Sequence, residues 1–217
     1  MKRWQYYRHS LVWLKSKLYL PIELQKHEQI NTWIQRNQPF VVVRQDDIDE
    51  DIDEQRLKIA VSLSADKSPL SRVAFMVNKS DILSISQPLS LINIVDVLKI
   101  LKIAEFTNNI NELILNGLNP CVYGSYSWQI ITGNGYTNQS SDLDLLLYIS
   151  KSEQLNNIQS ILVSMEQNSG VRNDGELIFA KDYAVAWREW YSDAKEILVK
   201  TINKVEFMSR ERILRML

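Results

Sequence analysis

Asp142 and Asp144, separated by Leu143 in SSDLDLLLYI, are the residues whose type and spacing most directly imply chemistry. Residues i and i+2 of a β-strand point to the same face, so the spacing predicts two carboxylates side by side at the start of a strand from Asp142 to Ile149. At ~4 Å and an effective dielectric of about 20 their repulsion is about 4 kcal/mol, and a hard divalent cation with oxygen ligands removes it. Magnesium is the natural inference, with Asp142 and Asp144 as its ligands. Upstream, VYGSYSWQ supplies Gly124 and Ser125, a small turn-forming pair that lets phosphate oxygens approach backbone N–H groups. No His–Asp partner marks Ser125 as a nucleophile, so it reads as a phosphate ligand through its hydroxyl or backbone N–H.

The elements that must position these groups are legible around them. A helix carrying Ile110, Leu113 and Ile114 stops near Gly117, and Asn119-Pro120 turns the chain into a short strand ending at Gly124. SYSWQII then reads as a short helix whose N-terminal dipole and N–H groups favour an anion. In SEQLNNIQSILVSMEQ, Leu155, Ile158, Ile161 and Leu162 share one side and predict a helix packed across the sheet. RNDGELIFA and YAVAWREW read as a β-hairpin, ILVK as a last short strand, and NKVEFMSRERILRML as a closing amphipathic helix.

In the N-terminal part, WQYYRHSLVWLKSKL and LPIELQKHEQINTWIQRNQ suggest helical or irregular segments, followed by strands around FVVVRQ, LKIAVSLS and RVAFMVN. Ser86-Gln87-Pro88 punctuates the chain, and the dense apolar run from Leu89 to Phe106 reads as a mostly buried helix. The fold class expected is α+β. Residues 1–84 would form a small mixed α/β domain and residues 85–217 a catalytic domain, a mixed sheet flanked by helices.

Composition narrows the function classes. A chain 45% hydrophobic and 24% charged can bury a sizeable core. The net charge of −1 argues against a nucleic-acid binder, which would carry a basic surplus or stripe. The charge is nevertheless uneven: residues 46–54, DDIDEDIDE, hold seven acids and no base, leaving the rest of the chain at a net +6. That stretch reads as a solvated loop projecting away from the phosphate site, with a second cation site or a docking patch as its alternatives. The lone Cys121 reads as a small buried hydrophobe before the strand to Gly124. His9 and His27 lack metal-ligand spacing; His27 reads as structural or surface. With no apolar run near membrane-spanning length and no signal-peptide core in MKRWQYYRHS, the chain is expected to be cytoplasmic.

The order Tyr123, Gly124, Ser125, a spacer, then Asp142, Leu143, Asp144, Leu145 resembles the nucleotidyltransferase superfamily. The sixteen-residue spacer from Tyr126 to Ser141 is longer than that superfamily usually carries, leaving room for a substrate-specific loop. More narrowly, VYGSYSWQIITG, SSDLDLLL, RNDGELIF, AVAWREW and ILVK look like the phosphoribosyl-dephospho-CoA transferase of malonate decarboxylase, its holo-acyl-carrier-protein synthase; RHSLVWL and QPFVVVRQ resemble that family's opening. This resemblance implies a nucleotidyltransferase-like C-terminal domain. It also implies transfer of the prosthetic group from 2'-(5''-triphosphoribosyl)-3'-dephospho-CoA to a serine of an apo acyl carrier protein, with release of diphosphate. The related citrate lyase system performs the same transfer, so its carrier protein stays open as acceptor. Another nucleotidyltransferase using a nucleoside triphosphate and a non-catalytic carrier-binding module are the alternatives.

The resemblance also implies a third carboxylate from a later strand, with Glu176 first and Asp174 and Glu189 as rivals. A triphosphate donor calls for further cations, and Arg188 in WRE and Lys200 in ILVK are the best placed by motif. Gln129 and Trp128 could hydrogen-bond and cover the donor, and His9 and Arg44 are open to substrate contact.

Overall fold

The computed structural model describes residues 6–15, 24–45, 55–65, 68–98, 102–180 and 182–217. The acidic stretch 46–54 lies outside them. The architecture is α+β, in two units: residues 1–87 with 202–204, and residues 88–201 with 205–217.

In the first unit, β1 (Leu11–Leu14), α1 (Leu24–Gln35), β2 (Phe40–Val42), β3 (Arg56–Ala65), β4 (Ser68–Asn78) and β5 (Ile82–Ser86) build an antiparallel sheet in the order β4-β3-β2-β1-β5. Period-two alternation explains its buried side: Leu57, Ile59, Val61 and Leu63 of β3, with Val73, Phe75 and Val77 of β4. Ile30, Trp33 and Ile34 of α1 are also buried. Trp33 lies beside Phe40, which meets Phe75 edge-on at 5.4 Å. β1 and β5 lie in segments where the sequence suggested helix or nothing regular. Their pairing is with each other and, for β1, with β2, so it depends on partners distant in sequence.

The second unit contains β6 (Leu89–Ser90), α2 (Leu91–Ile94), α3 (Ile103–Leu115), β7 (Cys121–Tyr123), α4 (Gly124–Thr132), β8 (Leu143–Ile149), α5 (Ile158–Ser169), β9 (Asn173–Phe179), β10 (Tyr183–Ala186), α6 (Trp187–Trp190), β11 (Ile197–Lys200), β12 (Val205–Met208) and α7 (Arg210–Leu214). Its sheet runs β12-β11-β10-β9-β8-β7-β6. β8 and β9 are parallel and every other pair is antiparallel, so the sheet is mixed. Phe106, Ile110 and Leu113 of α3, and Ile158, Ile161, Leu162 and Met165 of α5, form helical stripes. Those stripes pack with Leu143, Leu145, Leu147 and Ile149 of β8 in one core. Burying a side chain of this size contributes about 1.5–3 kcal/mol. Among the described residues no helix is long and apolar enough to cross a membrane.

Three sequence expectations are corrected. The run from Leu89 to Phe106 is not one helix: Leu89 pairs with Val122 as a strand, α2 and a 3-10 turn at residues 95–97 follow, and α3 begins at Ile103. WREW leaves the hairpin to form α6, which buries Trp187 and Trp190 at i,i+3 spacing. The C-terminal segment is not a single helix, because Val205–Met208 pair along the whole of β11. Ser209 then caps α7, its hydroxyl accepting from the Arg212 N–H.

Candidate active site

The cross-strand registers sort the seven-stranded sheet into two faces. Leu143, Leu145 and Leu147 of β8 point to the helix-covered core, so Asp144, Leu146 and Tyr148 point the other way. The parallel register places Asp174 opposite Asp144 and Glu176 opposite Leu146, and Ala184 of β10 faces Lys200 of β11. Asp144, Asp174, Glu176 and Lys200 therefore share the face away from α3 and α5. This close β8–β9 ladder depends on Gly175, whose φ is +138°; a Cβ there would lie 2.0 Å from the Leu145 carbonyl oxygen.

On the same face, β7 delivers the chain into α4 at Gly124. Gly124 has φ +68°, in the left-handed region that glycine occupies without a Cβ penalty. A Cβ on it would stand 1.9 Å from Asp144 Oδ2, so the Asp144 carboxylate rests directly against the glycine α-carbon. Tyr123, the residue before the helix, makes no side-chain capping hydrogen bond, and the first-turn N–H groups of α4 have no intrahelical acceptor. A carboxylate and helix-terminal amides thus lie together where Gly124-Ser125 begins the helix.

Asp142 lies one residue before β8. Its Oδ2 accepts a hydrogen bond from Arg172 Nη1 at 2.5 Å, while Leu143 N–H donates to the Arg172 carbonyl at 2.8 Å. Burial pushes the Asp144 carboxyl up to about 7, with the charges of Asp174, Asp142 and Glu176 adding to the rise and Arg172 opposing it. Asp142 also raises the Tyr126 phenol, after the larger effect of burial, which brings the second residue past Gly124 into the same field. Glu176 is buried at 5% exposure and accepts a hydrogen bond from Lys200 Nζ at 3.1 Å.

The structure brings together Gly124, Ser125, Asp142, Asp144, Glu176 and Lys200 of the residues read from sequence. Arg188 is elsewhere: it stacks over Trp187, pairs with Glu166 of α5 and donates to the Asn173 carbonyl at 3.0 Å, on the helix-covered side. Gln129 uses its side-chain carbonyl to accept from Tyr136 N–H, Thr137 N–H and the Thr137 hydroxyl, which fastens the loop preceding Asp142. Trp128 is buried against Tyr136. Glu189 accepts from the Leu198 N–H at 2.7 Å and thereby ties α6 to β11. His9 and Arg44 belong to the first unit; His9 has φ +67° and donates its backbone N–H to the Val42 carbonyl. Cys121 is 3% exposed.

Arg172 is the site residue that sequence reading passed over. Its signal was its place directly before the strand that carries Asp174 and Glu176. Among the described residues, no three His, Cys, Asp or Glu side chains are arranged to hold a metal ion by themselves. Two carboxylates still suit magnesium, which commonly takes one or two protein oxygens and completes its shell with substrate phosphates and water. The acids around Asp144, which outnumber the basic partners Arg172 and Lys200, and the glycine cradle beneath it fit such an ion.

Comparison with known proteins decides the family. The model described as the phosphoribosyl-dephospho-CoA transferase MdcG C-terminal domain matches residues 93–211, and that of the N-terminal domain matches residues 7–88. The chain belongs to the phosphoribosyl-dephospho-CoA transferase family. Its curated relatives in this family include the phosphoribosyl-dephospho-CoA transferase of Xanthomonas euvesicatoria pv. vesicatoria, 30% identical over 204 residues and covering 94% of both chains. That of Xanthomonas axonopodis pv. citri is 29% identical with the same coverage. A Bradyrhizobium diazoefficiens member is 37% identical over 93 residues, 43% of this chain and 41% of its own. No solved structure matches the chain. Membership in this family makes the protein a transferase, and the face carrying Asp144 is its candidate active site.

Proposed function

We propose that this protein transfers the phosphoribosyl-dephospho-CoA group from 2'-(5''-triphosphoribosyl)-3'-dephospho-CoA to a serine of the malonate decarboxylase acyl carrier protein, releasing diphosphate. The supporting observation is the contact of the Asp144 carboxylate with Gly124 at the start of α4, with Asp142 alongside. This is an arrangement for a triphosphate, and the family relatives are named for the group moved. The serine oxygen would bond to the α-phosphorus of the donor. The bond from that phosphorus to the oxygen bridging to the β-phosphorus would break, and diphosphate would leave with the bridging oxygen.

The roles of this chain's residues follow from their positions. The amides of Gly124, Ser125 and Tyr126 receive phosphate oxygens, where helix-terminal N–H groups favour negative charge. Asp142 and Asp144 would hold Mg2+, which when bound offsets the charge that develops on the departing diphosphate. The third carboxylate takes the serine proton. Asp174 suits that role better than Glu176, because it lies in register with Asp144 whereas Glu176 is buried against Lys200. Lys200 donates a hydrogen bond to the Glu176 carboxyl and so holds it in its buried setting.

The test is incubation of the purified protein with donor, Mg2+ and each apo carrier protein, read by mass spectrometry of the carrier. Gain of the prosthetic group on the malonate decarboxylase carrier, abolished in Asp142→Asn and Asp144→Asn, is the expected result. Modification of the citrate lyase carrier alone would overturn the acceptor. Transfer from a nucleoside triphosphate instead would overturn the donor, and carrier binding without diphosphate release would overturn catalysis.

A further inference from the structure

The triphosphate needs a cation that can reach it, and the basic side chains to weigh are Lys200, Arg188 and Arg172. Lys200 is bound to Glu176, whose side chain is only 5% exposed, so moving it would take a hydrogen bond from a buried carboxyl. Arg188 is committed to Glu166 and the Asn173 carbonyl behind the sheet. Arg172 differs from both. Its side chain is 54% exposed, and its partner Asp142 is 31% exposed.

Backbone geometry sets where Arg172 stands. The Leu143 N–H bond to the Arg172 carbonyl places Arg172 and Asp142 side by side, just ahead of the parallel β8–β9 register that begins at Leu143 and Asn173. Removing the Arg172 side chain leaves this ladder in place. The oxygen that Arg172 holds, Asp142 Oδ2, belongs to a carboxylate that the proposed function assigns to a metal. A divalent cation and a guanidinium compete for it. Released, the planar fork matches two oxygens of one phosphate, a geometry a lysine cannot offer.

Resting on the proposed function, we propose that Arg172 is the polyphosphate-binding residue of this site. It neutralises Asp142 while the site lacks a metal and passes to the donor's β- and γ-phosphates when the metal takes that carboxylate. The exchange keeps the acid cluster balanced in both states. It also makes metal binding and triphosphate binding respond oppositely to loss of one side chain, which a purely structural ion pair does not do.

The experiment uses the full chain, with two binding titrations and an unfolding control on wild type, Arg172→Gln, Arg172→Lys and Asp142→Asn. Mn2+ alone is followed by its paramagnetic resonance signal, inorganic triphosphate with saturating Mg2+ by calorimetry, and thermal unfolding controls for the fold. Arg172→Gln should bind Mn2+ several-fold more tightly than wild type. Its affinity for magnesium triphosphate should be weaker by roughly tenfold or more, the loss expected for a charge-assisted bidentate contact. Arg172→Lys should recover part of the triphosphate affinity. Unchanged triphosphate affinity in Arg172→Gln, with Mn2+ binding lost in Asp142→Asn, overturns the role of Arg172 and leaves the metal site standing. Normal Mn2+ binding in Asp142→Asn overturns the metal site itself and the exchange with it. Parallel weakening of both ligands in Arg172→Gln overturns the exchange in favour of a structural pair.

Discussion

The two faces of the seven-stranded sheet are built from the same strands and do opposite things. Along β8, Leu143, Leu145, Leu147 and Ile149 enter the helix-covered core, while Asp144 turns to the other side against Gly124. β9 repeats the division, with Leu177 and Phe179 in the core and Asp174 and Glu176 opposite. Alternation lets strands with one apolar face hold charged groups at fixed spacing on the other, and it predicts that stability and chemistry can be damaged separately.

The largest separation should come from Asp144→Asn. Losing a proposed metal-ligating carboxylate should lower transfer by on the order of a thousandfold or more, about 4 kcal/mol of transition-state stabilisation. Stability should hold or rise, because a half-buried carboxylate surrounded by acids is replaced by a neutral amide. Turnover assays beside urea unfolding decide this; a variant that unfolds as activity falls breaks the division of labour. Leu147→Ala makes the reverse case, since Leu147 is buried in the core. It should cost about 2–5 kcal/mol by urea unfolding while the folded fraction keeps its turnover.

Two glycines sharpen the comparison because each stands where the faces meet. Gly175→Ala pushes a Cβ towards the Leu145 carbonyl 2.0 Å away, so the β8–β9 ladder must open and both faces suffer. A loss of several kcal/mol is expected from strained backbone and broken ladder bonds. Gly124→Ala acts on one face, meeting the Asp144 carboxylate and forcing alanine into φ +68°. It should cost about 1–2 kcal/mol by denaturant titration and abolish transfer. Retained transfer in Gly124→Ala would remove the glycine cradle from the account.

How much of this the sequence disclosed follows the range of the interactions. Gly124-Ser125 and Asp142-Leu143-Asp144 were readable because each is a local pattern, and α4 follows directly from its strand. What local pattern could not supply was lateral position. The parallel register that sets Asp174 beside Asp144 joins residues thirty apart, and the same ladder brings Arg172 to Asp142. Arg188 misled for a related reason. Its motif lies in AVAWREW, yet α6 turns it away from the β10 strand line towards Glu166. Gln129 was likewise read as facing the donor, and its three accepted hydrogen bonds come from residues 136 and 137.

The smallest effect expected concerns Cys121, which opens β7 on the face that carries Asp144 and packs with Leu146. Burial pushes its thiol up to about 11, against about 8.5 for an unstructured cysteine. The folded protein therefore holds the thiol proton more tightly than the unfolded chain does. That contribution to stability is complete below pH ~8.5 and is lost progressively as pH rises towards 11. Cys121→Ala should remove this alkaline slope at a cost of about 1 kcal/mol near neutrality for the lost packing. Wild-type thiol should react with disulfide reagents at pH 7 only as fast as the strand opens. Rapid, stoichiometric modification of the native protein at that pH would mean that the acid-bearing face is open at Cys121, and that its apolar patch does not shield the strand next to Asp144.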